Sequence, residues 1–199
     1  MNKKGLLMII SGPSGSGKGT VVEELIKDEN FVISVSATTR SPRDYEQDGV
    51  HYFFKTVDEF GDMINEGQLL EWAAFCGNYY GTPKAYVEKM LESGKNVILE
   101  IEVQGAQQIA EMYPEAVSVF LMPPSKEELI KRLTGRGTED EITVERRIKR
   151  AEEEVELLPK YKFVVINDEV ANAVEKIKMI AESEKMRSER YKNMVEAFK

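Results

Sequence analysis

The stretch that most constrains this chain is a loop of ten residues, Ser11-Gly12-Pro13-Ser14-Gly15-Ser16-Gly17-Lys18-Gly19-Thr20. An apolar run, Leu6 to Ile10, leads into it, and a helical pattern, Thr20 to Lys27, leads out. Gly12, Gly17 and Lys18 have the spacing of a Walker A phosphate loop. Glycine is needed because the backbone must fold back until successive N–H groups point at one anion, and a side chain would block the approach. The lysine adds a charge and the helix N-terminus its dipole. A nucleoside triphosphate is therefore expected on residues 12–20. One position departs from the usual pattern: the residue after the lysine is Gly19, and the hydroxyl is displaced to Thr20. Mg²⁺, the expected cofactor, would then be held mainly by phosphate oxygens and water, which suits an ion that dehydrates reluctantly.

A loop of this kind needs a strand before it and a helix after it, and the rest of the chain repeats that alternation. Continuous apolar runs at Leu6 to Ile10, Phe31 to Val35, Val97 to Ile101, Val117 to Met122 and Phe163 to Ile166 read as strands of a parallel sheet covered on both faces. Helical spacing marks Thr20 to Lys27, Val57 to Asn65, Pro83 to Glu92, Ser125 to Leu133, Val144 to Glu156, and Val170 to about Phe198. The fold class is α/β, with a five-stranded parallel core sheet. Two stretches interrupt the alternation. Residues 34–82 carry aromatic strand-like pieces around one helix and read as an inserted small sheet. Residues 134–150 are mostly charged, begin with a Gly-Arg-Gly turn, and suit a mobile surface flap better than core. A single domain is expected, its core made of 1–33, 83–133 and 151–199.

Charge and composition narrow the partners. A net charge of -8 opposes general attraction to nucleic acid or to anionic membrane, so phosphates must be met by locally clustered cations. The one cysteine, Cys76, allows no intramolecular disulfide, and the apolar run near the N-terminus is too short for a signal peptide or a membrane span. A cytoplasmic protein is expected. His51 is the only histidine, which leaves no histidine metal cluster. The glutamates at 152 to 154 and at 156 read as a solvated helix face, and the mixed-charge tail from Glu182 to Lys199 allows either a monomer or a homodimer.

A second phosphate site is suggested by Arg40 and Arg43, three apart around Pro42, which stiffens the backbone between two fork-shaped donors. Taken alone, the two also describe ordinary surface arginines. Tyr52 and the pair Tyr79-Tyr80 offer phenols. Glu71 interrupts an apolar run, Leu69 to Phe75, where a carboxylate is either solvated on the strand or in need of a specific donor.

With these residues in view, the chain resembles the guanylate kinase family over essentially its whole length. The resemblance is carried by the phosphate loop, by Thr38-Thr39-Arg40-Ser41-Pro42-Arg43, Leu70-Glu71-Trp72-Ala73, Gly77 to Pro83, Glu100 to Gly105, Pro123-Pro124-Ser125, Arg136-Gly137-Thr138-Glu139 and Ile166-Asn167-Asp168. It implies a P-loop nucleoside monophosphate kinase fold with a GMP-binding insertion and a helical lid. The implied reaction is transfer of the γ-phosphoryl group of ATP to GMP, and also to dGMP, in purine metabolism. It places the GMP phosphate against Arg40, Arg43, Tyr52 and Tyr80, and the guanine against Ser36, Glu71, Thr82 and Glu102, with Gly81 also in the GMP site. Lys18, Arg43 and the lid arginines Arg132, Arg136 and Arg147 are the implied catalytic cations, with Asn167 on the adenine side. The family more often has aspartate where this chain has Glu100 and Glu102; Glu100 is assigned to water around Mg²⁺. Two other readings compete. An interaction module that has lost catalysis would show an eroded phosphate loop, whereas Gly12, Gly17 and Lys18 are all present. A kinase of the same fold acting on another nucleotide or a phosphorylated sugar would have no use for the Glu71 and Thr82 pair.

Overall fold

The apolar run ahead of the glycine loop becomes the middle strand of a sheet in the computed structural model, which describes residues 4–75, 77–134, 141–192, 194–197 and 199. In chain order the elements are β1 (Leu7–Ser11), α1 (Lys18–Leu25), β2 (Phe31–Ile33), β3 (Ala37–Thr38), β4 (Phe53–Phe54), α2 (Val57–Asn65), β5 (Leu69–Phe75), β6 (Asn78–Pro83) and α3 (Lys84–Glu92). There follow β7 (Asn96–Glu100), α4 (Val103–Met112), β8 (Val117–Met122), α5 (Lys126–Thr134), α6 (Glu141–Val155), β9 (Phe163–Ile166), α7 (Val170–Lys185) and α8 (Met194–Ala197).

The main sheet has the order β2-β7-β1-β8-β9, and each pairing is parallel. Alternation along β1 divides the core into two layers, as the period of a strand requires. Met8 and Ile10 pack with Val21, Val22 and Leu25 of α1 and with Ala173, Val174 and Ile177 of α7. Leu7 and Ile9 pack with Val87 and Leu91 of α3 and with Ala106 and Ile109 of α4. The sheet is thus covered by helices on both faces. Since β1 lies between β7 and β8, the chain changes direction across the sheet at β1, and a crevice opens at the carboxyl ends of the strands there. The segments that follow all five core strands are therefore delivered to one end of the sheet.

Residues from 34 onward build a second sheet of order β4-β3-β6-β5, with β3 and β4 parallel and the β3–β6 and β6–β5 pairs antiparallel. Its helix, α2, starts at a capping box in which the Thr56 hydroxyl accepts from the Glu59 N–H and Glu59 accepts from the Thr56 N–H. Phe60 from α2 is fully buried and stacks on Tyr79 with ring centroids 5.7 Å apart. Leu70 of β5 belongs to the core layer beneath α3 and α4, which ties the small sheet to the main one.

Three expectations are corrected. The continuous C-terminal helix ends at Lys185, followed by a 3-10 turn at Ser188–Tyr191 and the short α8. The buried stripe Val174, Ile177, Ala181 gives out there, and without an apolar face to pack, nothing holds the helix together. Of the stretch 134–150, the part in α6 is not all surface: Val144 and Ile148 pack on Leu129, Leu133 and Ala151. Finally, α4 occupies Val103–Met112, between β7 and β8, where no helix is expected from the apolar spacing.

Candidate functional site

The glycine loop turns directly above the end of β1. Gly12 has φ +147, and a Cβ there would lie 2.2 Å from the Leu121 carbonyl oxygen of β8, so no other residue fits. Gly17, with φ +88, is the N-cap of α1, and a Cβ on it would fall 2.4 Å from Asn167 Nδ2. Lys18 opens the helix, and its ammonium donates to the carbonyls of Gly12 at 2.6 Å and Pro13 at 3.3 Å. Burial lowers the Lys18 pKa, with the charges of Glu102 and Glu100 acting against that shift.

Other elements brace the loop from outside. Asn167, just past β9, donates from Nδ2 to the Ser16 carbonyl at 2.8 Å. Arg132 of α5 donates to the Ser16 carbonyl at 3.4 Å, the Asn167 carbonyl at 3.0 Å and Glu128 at 3.0 Å. Arg147 of α6 donates from Nη2 and Nε to the Ser14 hydroxyl at 2.7 and 3.2 Å. Two of the three expected lid arginines therefore meet the loop; Arg136, with the flanking glycines 135 and 137, lies outside the described residues. Thr20 is exposed, and a Cβ at Gly19 would face Glu100 Oε1 at 3.8 Å.

From the loop a cleft of about 510 Å³ runs toward the small sheet, with Lys18, Glu100 and Glu102 on one wall and Arg40, Tyr52 and Glu71 on the other. Ser36, Arg43, Tyr80 and Gly81 also line it. Glu71 is 6% exposed and accepts a hydrogen bond from the Thr82 hydroxyl at 2.6 Å across the β5–β6 pair. Its solvated alternative is thereby excluded. Burial raises the Glu71 pKa, and the Thr82 hydroxyl offsets part of the shift. The other carboxylate oxygen is received by α4: a Cβ on Gly105 would lie 2.7 Å from Glu71 Oε2. Glycine is a poor helix former, and here, in the first turn of α4, it makes room for a carboxylate.

Arg40 lies over the Tyr52 ring, 5.4 Å from its centroid, and Tyr52 meets Tyr80 edge-on at 6.2 Å. Burial raises the Tyr52 pKa, so the phenol stays protonated as a donor at neutral pH. Arg43 is largely exposed and donates to the Tyr45 hydroxyl at 2.9 Å. Glu100 also has a raised pKa, first through burial, with Lys18 opposing. Tyr79, by contrast, is spent on packing against Phe60 and Trp72 in the small sheet.

Three residues to which the sequence assigns no role in the site belong to this region. Glu46 bonds Arg40, Arg150 lines the cleft and pairs with Glu102, and Glu154 pairs with Arg150 while only 7% exposed. The last corrects the picture of 152 to 154 as a wholly solvated face. The spacing of Arg147, Arg150 and Glu154 along one face of a helix was the available signal.

A parallel sheet with a phosphate loop at its central strand, a small inserted sheet across the cleft and a helical pair above it is the fold of the P-loop nucleoside monophosphate kinases. Comparison with known proteins narrows this further. Residues 4–184 match the family model described as guanylate kinase. A guanylate kinase of Clostridium acetobutylicum is 52% identical over 195 residues, covering 98% of this chain and 93% of the relative, and one of Bacillus subtilis is 51% identical over 202 residues, covering 98% and 99%. The solved guanylate kinase of Anaplasma phagocytophilum superposes with a TM-score of 0.77 at 34% identity, covering 94% of this chain and 89% of that one. The chain belongs to the guanylate kinase family, ATP:GMP phosphotransferases whose function is the phosphorylation of GMP.

Proposed function

We propose that ATP lies on residues 12–20 with its adenine toward Asn167, that GMP lies in the cleft, and that the transfer runs in line between them. The observation that carries this reading is the buried Glu71 carboxylate with Thr82 on one oxygen. Guanine presents N1–H and an exocyclic amine side by side, two donors that one carboxylate accepts together. Adenine has a lone pair at N1 and would leave the buried charge repelled and unpaired. Sites built this way discriminate by up to about 10⁴-fold. The GMP phosphate is assigned to Arg40, Arg43, Tyr52 and Tyr80, the base also to Ser36 and Glu102, and Gly81 to the same GMP site. dGMP is assigned as an acceptor too.

Phosphoryl transfer spreads charge over the equatorial oxygens of the moving group, so catalysis consists chiefly of positioning and of cations placed around it. Lys18 and Arg43 supply that charge from the two walls, and Arg132 and Arg147 from the helical lid, residues 134–150, with its anchoring helix α5; Arg136 is assigned to the same task. Closure of lid and insertion, residues 34–82, excludes water and suppresses hydrolysis of ATP.

The donor set fits Mg²⁺ bound with the nucleotide. Among the described residues no cluster of three His, Cys, Asp or Glu side chains could hold a metal, while Glu100 faces the open side of Gly19 beside Lys18. Glu100 would organise water around an ion held otherwise by phosphate oxygens. When bound, Mg²⁺ neutralises phosphate charge. Cytoplasmic location is part of the proposal, and no described helix is long and apolar enough to cross a membrane.

A coupled assay of ADP formation from ATP and Mg²⁺ tests the assignment, with GMP, dGMP, AMP, CMP and UMP offered separately. Turnover confined to GMP and dGMP, and lost in Lys18→Ala, is the expected result. Preference for another nucleotide would overturn the Glu71 reading.

A further inference from the structure

We propose that Arg150 is a specificity-determining positioning residue: from α6 it fixes Glu102 for recognition of the acceptor base and ties that recognition to the docking of its own helix. The proposal rests on the assignment of Glu102 to guanine.

Arg150 Nη2 donates to Glu102 Oε2 at 3.2 Å, and Nε donates to Glu154 Oε1 at 2.8 Å. The guanidinium is planar, so bonding through two of its nitrogens fixes its orientation as well as its position. Glu154 is the rigid end of this arrangement, buried on the same helix one turn further on. Glu102 is the adjustable end. It is the N-cap of α4, its side chain makes no capping bond, and it is about half exposed. Its neighbour along the strand, Glu100, is buried and repelled by it. Without Arg150, repulsion from Glu100 would turn Glu102 further toward water, with Lys18 the remaining cation that draws on it.

A carboxylate has two oxygens, and Arg150 engages one of them. Guanine, after giving N1–H and one amine hydrogen to Glu71, has a second amine hydrogen to place. Glu102, held by Arg150 on Oε2, is the second acceptor in the cleft for that hydrogen. Arg147 stands three residues before Arg150 and donates to Ser14 of the phosphate loop. One face of α6 thus touches the donor loop and the base-reading carboxylate together. The Arg150–Glu102 pair is half exposed, so it contributes little to folding and its effect is expected in recognition.

The test is steady-state kinetics with GMP and with inosine monophosphate, which lacks the exocyclic amine, for the wild type, Arg150→Met, Arg150→Lys, Glu102→Gln and the Arg150→Met/Glu102→Gln double variant. Arg150→Met is expected to raise KM for GMP about tenfold, with kcat and KM for ATP within about threefold, and to lower the preference for GMP over inosine monophosphate by the same factor. Arg150→Lys is expected to recover part of this. Adding Arg150→Met to Glu102→Gln should change nothing further. The proposal is overturned if Arg150→Met and Arg150→Lys leave the GMP preference intact, or if the double variant loses the two effects additively. Should Glu102→Gln itself leave the preference unchanged, the assignment of Glu102 fails and takes the proposal with it. A Glu102 effect with silent Arg150 variants overturns the Arg150 role alone.

Discussion

Glu46 accepts from Arg40 through both carboxylate oxygens, at 2.8 and 2.9 Å from the single nitrogen Nη2, and also accepts from the Arg43 backbone N–H at 2.8 Å. Burial on its own would raise the Glu46 pKa, but these donors together hold it below the ordinary value. The two arginines assigned to the acceptor phosphate are therefore both tied to one ionised carboxylate. Glu46→Gln is expected to raise KM for GMP about tenfold while leaving KM for ATP within about threefold, since an ion pair that accepts on two oxygens is replaced by a neutral amide with one acceptor oxygen. Initial-rate kinetics with each substrate varied separately check this, and equal effects on both substrates would contradict it.

The raised pKa of Glu71 makes a prediction about stability. Its ordinary value is 4.5, and burial lifts it in the folded protein. The native state then holds the proton more tightly than the unfolded chain, so the associated stability is complete below the ordinary value and is lost as pH rises through the raised one. Denaturation midpoints measured from about pH 4 to about pH 7 should fall for the wild type relative to Glu71→Gln. Parallel curves for the two proteins would contradict the burial argument.

Gly12→Ala tests the loop itself. The new Cβ would meet the Leu121 carbonyl at 2.2 Å, and backbone rather than a flexible side chain is the obstacle. A loss of about 3 kcal/mol in unfolding free energy and loss of detectable ATP binding are expected. Denaturant unfolding and calorimetric titration check the two effects.

Arg147→Ala is expected to lower kcat about 10³-fold with little change in KM for ATP, as for other arginines that meet phosphoryl charge. Ser14→Ala, which removes only the hydroxyl that Arg147 reaches, should give a smaller loss of about tenfold. Near-normal kcat in Arg147→Ala would remove the lid arginine from the mechanism.

How much of this was legible in the sequence depended on whether a residue acts through backbone conformation or through a distant partner. The phosphate loop could be read directly, because Gly12 and Gly17 answer to local geometry. The five core strands were legible as apolar runs. Helix α4 was not, because Gly105 weakens its propensity, and that glycine is explained only by the Glu71 carboxylate packed against it, 34 positions earlier in the chain. Glu46, Arg150 and Glu154 stayed hidden for a related reason. Each is an unremarkable charge in its own segment, and its role appears when the fold brings up Arg40 or Glu102.

The central claim is that Glu71 chooses the base, and the most direct measurement is kcat/KM for GMP and for AMP in the wild type and in Glu71→Gln. A glutamine offers one donor and one acceptor, which matches N1 and the amine of adenine and mismatches the paired donors of guanine. The GMP-to-AMP ratio is expected to fall at least about 10²-fold in the variant. A ratio that stays at the wild-type value would mean that the base is read elsewhere.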